Sequence, residues 1–308
     1  MTMTRGTLVE ALRKDLDELI EVSANNEPDA PSQYMTVKNS VLAEEKGILY
    51  QPLGAALIKP EGANIKEDMF NSILTFRQKH DTYAKSVAFT KECIADIEGA
   101  GNGSILDRTA KLISVMEKAK HQQATDVLNN ATNAANVMSP GGQPLISLAQ
   151  DGGVGGVNYS NRLAALGALS IASLKDAVTA VHNMRDARGM RQNIKPTRLL
   201  CGSTLEFTAA ELLGSDHLPN SDFNNINSVK TLGVLSKGYM VDSYIDSQTR
   251  WFLQTDVQDA NEGLIIYNRQ DIETRTHIDE KTLNVIVSSD FRRSAGWMNP
   301  QAIFMGNI

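Results

Sequence analysis

Cysteine and long hydrophobic runs are both scarce in this chain of 308 residues. Only two cysteines occur, Cys93 and Cys201, so a disulfide framework like those of small secreted domains is excluded. Both lie in apolar, strand-like segments, and we interpret them as reduced core residues, with a disulfide or a nucleophilic thiol as alternatives. No apolar run approaches the ~18 residues that a membrane-spanning helix requires, so we expect no membrane span.

Positive charge is in short supply as well. The 30 Lys and Arg residues are outnumbered by 36 Asp and Glu, which gives a formal net charge of −6. No basic tract suggests a phosphate-binding stripe, and this disfavours sequence-specific DNA binding. Acidic residues between Glu10 and Glu18 interrupt any signal-peptide core, so we expect the protein to be made and used in a reducing, aqueous compartment.

The sequence also lacks a recognisable catalytic or metal-binding constellation. No histidine has a second metal ligand at a suitable spacing, and no Gly-x-Ser-x-Gly elbow is present. The carboxylate pairs, such as Glu44/Glu45, lie on polar faces or in loops, where charges are usually solvated. We therefore assign no catalytic residue, no cofactor and no metal ligand, and we expect His121 and His182 on solvated helix faces. The histidines are His80, His121, His182, His217 and His277.

One glycine-rich segment invites a phosphate-binding interpretation. Asp151 to Gly156, the glycine loop, contains four glycines. A phosphate-binding loop ends in Gly-Lys-Ser/Thr, whereas Val157 and Asn158 follow here. A dinucleotide fingerprint needs a strand before it and a helix directly after it, and neither is convincing. We expect a mobile connection, and a nucleotide-binding site remains the alternative.

The N-terminal quarter of the chain has the character of an arm followed by an extended loop. An amphipathic helix is predicted over residues 6–22, and residues 25–32 form a linker by composition. Residues 33–82 alternate short apolar pieces with charged, proline or glycine breaks. We predict an extended loop or hairpin there, and such long segments in compact proteins are usually functional.

The rest of the chain is well patterned. A long helix is predicted from Ser104 to about residue 131, about 42 Å at ~1.5 Å per residue. A shorter helix is predicted over 173–188 and ends at Gly189, and another is predicted over 205–213. Trp251, Phe252 and Trp297 are expected in the core more than at an interface. Strands are predicted at 86–90, 197–201, 251–253, 263–267 and 283–287, and an exposed, Asn-rich loop at 220–227.

Several segments together resemble the major capsid proteins of tailed bacteriophages, which have the Hong Kong 97-type fold, and the Mu-like major head subunits among them. Their order and spacing from Tyr83 to Pro300 carry the resemblance, since each segment alone is weak. A characteristic one reads Asn193-Ile194-Lys195-Pro196-Thr197-Arg198. The segments are 83–94 with Asp96, 142–147, 168–170, 186–189, 193–200, 205–206 with 209–213, 251–253, 273–274 and 290–291.

This resemblance implies an α+β fold with a defined set of parts. Residues 1–35 would be an N-terminal arm and 36–82 an extended E-loop that reaches across a neighbouring subunit. Residues 83–169 would form a peripheral domain with a spine helix at about 104–131. Residues 170–278 would form the axial domain, and 279–308 would return as strands to the peripheral domain.

The resemblance also implies a function. The chain would self-assemble into the hexamers and pentamers of an icosahedral shell that encloses phage genomic DNA. It would be located in the virion capsid after assembly in the host bacterial cytoplasm. Its partners would be itself, a portal, and a separate scaffolding or decoration protein, with double-stranded DNA enclosed but not bound sequence-specifically, and no membrane. The alternatives are a nucleotide-binding α/β enzyme that uses residues 151–156, or another virion structural protein.

Two further expectations follow from the resemblance. Some relatives cross-link an E-loop lysine to a neighbour's asparagine, and Lys59 and Lys66 lie in the corresponding region, although surface lysines are normally just solvated. The Asn-rich loop at 220–227 and the strand that contains Trp251 become candidates for contacts between subunits.

Overall fold

A computed structural model describes residues 30–90, 92–93, 105–138, 142–165, 167–217 and 225–307. The predicted helix at 6–22 therefore lies outside the described residues. The helices are α1 (Ala30–Tyr34), α2 (Ile105–Asn129), α3 (Ile171–His182), α4 (Glu206–Gly214) and α5 (Ser228–Thr231). The strands are β1 (Thr36–Asn39), β2 (Glu44–Tyr50), β3 (Ser72–Lys79), β4 (Asp81–Phe89), β5 (Pro196–Cys201), β6 (Tyr239–Val241), β7 (Trp251–Thr255), β8 (Leu264–Ile278), β9 (Val285–Trp297) and β10 (Ile303–Asn307).

The strands of the described residues form two four-stranded sheets and one hairpin. The first sheet has the order β1-β8-β9-β4, with β1 parallel to β8 and the other pairs antiparallel. The second sheet has the order β10-β7-β5-β6, with only the β5–β6 pair parallel. The hairpin β2–β3 is a separate two-stranded ribbon. Helices and sheets are mixed along the chain, as predicted.

The second sheet divides the core into two layers. Side chains of a strand point alternately to opposite faces, so successive residues of β7 enter different clusters. Trp251 and Leu253 pack with α3 and α4, whereas Phe252 packs with α2 and the first sheet. All five residues of β7 are buried because the strand lies between β10 and β5 with both faces covered. The predicted core positions of Trp251, Phe252 and Trp297 are confirmed.

The long helix α2 packs along the first sheet. Its N-terminal half contributes Leu112 to a small cluster with Phe89 and Val287, and its C-terminal half contributes Ala124 and Leu128 to the main core. The helix covers 25 residues, close to the predicted range. The tertiary contacts along its whole length explain why it exceeds the usual ~11–12 residues.

Two predicted boundaries are wrong. Residues 30–32 of the predicted linker belong to α1. Helix α3 ends at His182 rather than Arg188, and Gly189, with a φ of 78°, belongs to the turn that follows. The buried carboxylate of Asp186 organises this turn, since its Oδ1 accepts from the N–H groups of Arg188 and Met190 at 2.8 Å each. A local side-chain acceptor thus competes with continued helix.

Two more strand predictions need correction. Cys93 lies beyond the end of β4 in a helical segment, so its context is not a strand. The strand predicted at 283–287 begins at Val285, because Leu283 has a φ of 60° in the tight connection between β8 and β9.

Candidate assembly surface

The hairpin β2–β3 ends in an exposed loop without helix or strand, residues 51–71, which we call the distal loop. Ile58 is 97% exposed, and several other large apolar side chains lie open nearby. Exposed apolar patches of this kind mark surfaces that bind other molecules. The exposed apolar residues are Leu53, Leu57, Ile58, Ile65, Met69 and Phe70. The extended loop or hairpin predicted at 33–82 is a hairpin over 44–79, whereas residues 33–39 belong to α1 and to β1 in the first sheet.

A tight cross-strand contact shapes the hairpin. Gly47 lies directly opposite Phe76, whose ring is buried against the glycine backbone. A Cβ atom at residue 47 would stand 2.1 Å from the Phe76 Cζ atom, which is impossible without displacement of the ring. The glycine therefore allows the ring to cover the ribbon. Lys46 and Arg77 flank this contact, and their hydrogen bonds to Glu44 lower the pKa of that carboxyl.

His80 occupies the point where the hairpin joins the body, between β3 and β4. It is 2% exposed, with Nδ1 3.0 Å from Ser294 Oγ and Nε2 3.1 Å from Ser40 Oγ. Ser40 Oγ in turn donates to Glu45 Oε1 at 2.5 Å. Burial lowers the pKa of His80, and this outweighs the opposing effect of Glu45. The sequence pattern had assigned His80 no role, and its partners are too distant in sequence to be inferred.

The glycine loop has no phosphate-binding geometry. An isolated bridge between Gln150 and Tyr159 closes the segment, and no strand leads into it. The next helix, α3, begins only at Ile171. Instead of forming a mobile connection, the loop packs against the base of the distal loop, with Gln51 Nε2 3.0 Å from Gly152 O. The nucleotide-binding alternative receives no support from this arrangement.

His121 is not on a solvated face, and that prediction is wrong. Its Nε2 lies 3.0 Å from Oδ1 of the buried Asp242, and the centre of its ring lies 4.2 Å from that of Tyr244, with the two rings tilted by 36°. Tyr34 and Thr125 donate to the other carboxylate oxygen at 2.8 and 2.9 Å. This cluster joins α1, α2 and the segment after β6. Burial would raise the pKa of Asp242, but these hydrogen bonds and that of the Tyr244 N–H lower it overall.

Among the described residues, the remaining histidines and both cysteines do not form a catalytic or metal-binding cluster. His182, His217 and His277 are exposed, as predicted for His182. Cys93 and Cys201 are free thiols, and burial raises the pKa of the Cys201 thiol to about 11, so it stays protonated at neutral pH. Within the described residues, no three His, Cys, Asp or Glu side chains are placed to hold a metal ion.

Of the two predicted contact candidates in the second half of the chain, the strand that contains Trp251 is wrong, whereas the Asn-rich loop at 220–227 stays a prediction. The Trp251 strand is enclosed on both faces and cannot reach a neighbour. Asn227 is buried and donates to Leu212 O at 2.7 Å, so this end of the Asn-rich segment is structural, whereas Ile226 is exposed. Residues 218–224 lie outside the described residues.

Exposed side chains near this region were missed by the sequence patterns. Phe207 on α4 is 79% exposed and Leu232 after α5 is 75% exposed. A single outward phenylalanine in a short helix has no periodic signal, which is why only the structure identifies it.

Lys59 and Lys66 are exposed in the distal loop. No helix among the described segments combines the length and the apolar character needed to cross a bilayer.

Comparison with known proteins relates this geometry to one family. The family described as "Phage capsid protein" matches residues 75–305. Among curated proteins, no sequence matches the chain.

Solved structures with the same fold come from several kinds of particle. The chain is 12% identical to the virus-like particle protein from Pyrococcus furiosus, with a TM-score of 0.58 over 95% of this chain and 98% of the other. It is 11% identical to a capsid chain of an empty GTA particle, with a TM-score of 0.57 over 91% and 89%. It is 9% identical to a chain from the capsid of Myoviridae phage XM1, with a TM-score of 0.55 over 89% of this chain and 90% of the other. These similarities confirm the predicted mixed α+β fold of the Hong Kong 97 type.

Proposed function

The chain belongs to the family of phage capsid proteins, and from this membership we propose that it is the major head subunit of a tailed phage. The family resemblance predicted from sequence is thereby confirmed, while the Mu-like branch stays a prediction. Membership indicates a structural role in the virion capsid. In our proposal the subunit forms hexamers and pentamers of an icosahedral shell and performs no catalysis.

The observation that carries this proposal is the distal loop. Both tryptophans of the chain are buried, yet Leu57, Ile58, Ile65, Met69 and Phe70 are exposed at the end of the hairpin. Burying one such side chain contributes ~1.5–3 kcal/mol, so five contribute roughly 8–15 kcal/mol. Association itself costs ~4–15 kcal/mol. One loop contact would therefore be weak to moderate, and only a closed shell that repeats it would be stable.

We assign the parts of the subunit accordingly. The hairpin with its distal loop is the E-loop, α2 is the spine helix of the peripheral domain, and residues 1–35 are the N-terminal arm. The sequence prediction ended the axial domain at residue 278. Strand pairing favours an end near residue 262, because β8 pairs with β9 in the first sheet along almost its whole length. By the same criterion β10, which pairs with β7, belongs to the axial sheet.

The partners follow from the role. The subunit contacts copies of itself, and a shell also needs a portal and, in this proposal, a separate scaffolding or decoration protein. Double-stranded DNA is enclosed without sequence-specific contacts, which suits a net charge of −6. Assembly takes place in the cytoplasm of the bacterial host.

A loop-replacement variant tests the proposal. The Gly54 N–H donates to Asp68 Oδ2 at 2.7 Å, so residues 55–67 can be replaced by a short Gly-Ser linker without moving the ends. We expect a folded subunit by circular dichroism that no longer forms large particles by light scattering, whereas the natural chain does. A variant that assembles as well as the natural chain would refute the role of the loop. Rings or tubes from the natural chain would favour another virion protein.

A further inference from the structure

The glycine loop, residues 151–156, lies directly beneath the base of the distal loop. Gln51, the first residue of the distal loop, donates from Nε2 to Gly152 O at 3.0 Å. Gln51 is buried at 1% exposure, and its N–H donates to Asn71 O at 2.7 Å, so the two ends of the distal loop meet there. Gly153 faces the start of β3. The point where the distal loop leaves the hairpin thus rests on the glycine loop.

This contact requires glycine. Gly153 has a φ of 78°, and a Cβ atom there would stand 3.1 Å from Ser72 O and 3.3 Å from the Ile73 Cα atom. At Gly156 a Cβ atom would stand 2.1 Å from Gly152 O and 2.7 Å from Gln51 Nε2. Side chains would therefore either strain the loop or lift the hairpin off it. The glycines therefore allow the glycine loop to approach the hairpin closely, and no bound ligand is needed to explain why glycine occurs at these positions.

A second element, the turn at 184–191, completes the support. Val157, just after the glycine loop, donates its N–H to Ala187 O at 2.7 Å, which fixes the turn beside the loop. The buried Asp186 holds the turn in shape through its hydrogen bonds to residues 188 and 190. Arg188 is thereby directed toward the distal loop. We call the glycine loop and this turn together the seat.

Arg188 and Asp68 link the seat to the far part of the distal loop. Arg188 Nη2 lies 3.2 Å from Asp68 Oδ1 and 3.4 Å from Met69 O. Asp68 also accepts from the N–H groups of Gly54 and Met69, at 2.7 and 2.9 Å. One carboxylate therefore ties both sides of the loop to each other and to the seat. These backbone hydrogen bonds, and then the charge of Arg188, lower the pKa of Asp68.

We propose that the seat and the Asp68–Arg188 pair are positioning elements that hold the distal loop at a fixed angle on the free subunit before it meets a neighbour. This inference rests on the proposed function, because a fixed loop angle matters only if the loop docks on a neighbouring subunit. A loop that is already ordered loses less conformational entropy when it docks. The seat therefore lowers the subunit concentration at which shells form, and it aims the apolar side chains at one site on the neighbour.

Limited trypsin digestion of free, full-length subunits tests the first half of the proposal. Lys66 is exposed in the distal loop and is followed by Glu67, whereas Lys59 is followed by Pro60, which blocks trypsin. Cleavage after Lys66, measured by mass spectrometry, therefore reports the order of the loop. We expect Arg188→Gln and Asp68→Asn each to speed this cleavage about threefold or more. This is the increase in the open population of the loop that follows from the loss of one surface ion pair and its hydrogen bonds.

Arg191→Gln is the matched control, because Arg191 lies in the same turn, is exposed and makes no ion pair within the described part of the chain. It should leave the cleavage rate unchanged. Gly153→Ala tests the glycine loop independently and should speed cleavage as well. Unchanged rates in both Arg188→Gln and Asp68→Asn would overturn the proposal, whatever the behaviour of Gly153→Ala.

Assembly tests the second half. The critical concentration for particle formation, measured by light scattering, should rise in Arg188→Gln and stay unchanged in Arg191→Gln, because association depends on the fraction of subunits whose loop is already ordered. An unchanged critical concentration despite faster cleavage would refute the positioning role. If the natural chain forms no particles while the cleavage results hold, the seat stands and the proposed capsid role fails, so the two failures are distinguishable.

Discussion

Removal of the Asp242 carboxylate should destabilise the free subunit strongly. This carboxylate is 2% exposed and accepts hydrogen bonds from Tyr34, His121, Thr125 and the Tyr244 N–H. Asp242→Ala removes the acceptor that these four donors share, and breaking a buried charged cluster in this way costs ~3–5 kcal/mol. Asp242→Asn keeps the shape and one acceptor oxygen, so it should cost about half as much.

The assay is urea denaturation of the free subunit, followed by tryptophan fluorescence. Both tryptophans, Trp251 and Trp297, are buried in the folded chain and report its unfolding. A double-mutant cycle with His121→Ala should show a coupling of about 0.5–3 kcal/mol between His121 and Asp242. Surface substitutions usually change the free energy of unfolding by less than ~0.5 kcal/mol. If Asp242→Ala lowers it by less than ~1 kcal/mol, the buried cluster does not stabilise the subunit as proposed.

The pH dependence provides an independent check on the same carboxylate. The pKa of Asp242 is lower in the folded chain than its ordinary value, so the folded state binds fewer protons than the unfolded state in acid. The stabilisation is therefore complete above the unfolded pKa of about 3.9 and is lost as the pH falls through the folded pKa. The difference between the natural chain and Asp242→Asn should shrink below about pH 4. A difference that stays constant into acid would show that the carboxylate charge contributes nothing.

Three further predictions concern single sites. Gly47→Val should displace the Phe76 ring and destabilise the hairpin, seen as faster hydrogen exchange in β2 and β3, whereas equal exchange would show that the ring contact is dispensable. Because burial lowers the pKa of His80, the folded chain resists its protonation, so urea stability should fall as the pH drops below about 6.5 and fall less in His80→Gln; parallel losses would contradict this. In native subunits the buried Cys201 should alkylate with iodoacetamide far more slowly than Cys93, and equal rates would show that the core opens readily.

The regular elements of the fold could be predicted from sequence because their signals are local. The helical spacing of apolar residues predicts α2 nearly to its ends, and the short apolar runs Leu199–Cys201 and Trp251–Leu253 predict the buried strands β5 and β7. Their side chains alternate between two core layers, but because both faces are buried the sequence shows no regular alternation of polar and apolar residues that would reveal this. The family resemblance could be recognised for the same reason, since it depends on the order of such segments.

The contacts that define the candidate surface could not be predicted, because their partners are far apart in sequence. His121 and Asp242 are separated by 121 residues, and His80 and Ser294 by 214. The helical pattern around His121 has no feature that distinguishes a solvated position from one facing a buried carboxylate. The end of α3 was likewise hidden, since nothing in the local pattern shows that the Asp186 side chain accepts from the N–H groups of the turn that follows it.

The proposed role as a head subunit requires that the purified, full-length chain builds shells. Negative-stain electron microscopy across a range of concentration and salt, with and without a scaffolding protein, answers this. We predict closed, roughly spherical particles of megadalton mass, which disappear when residues 55–67 are replaced by a linker. Only small compact particles under every condition tested would contradict the proposed role as the major head subunit.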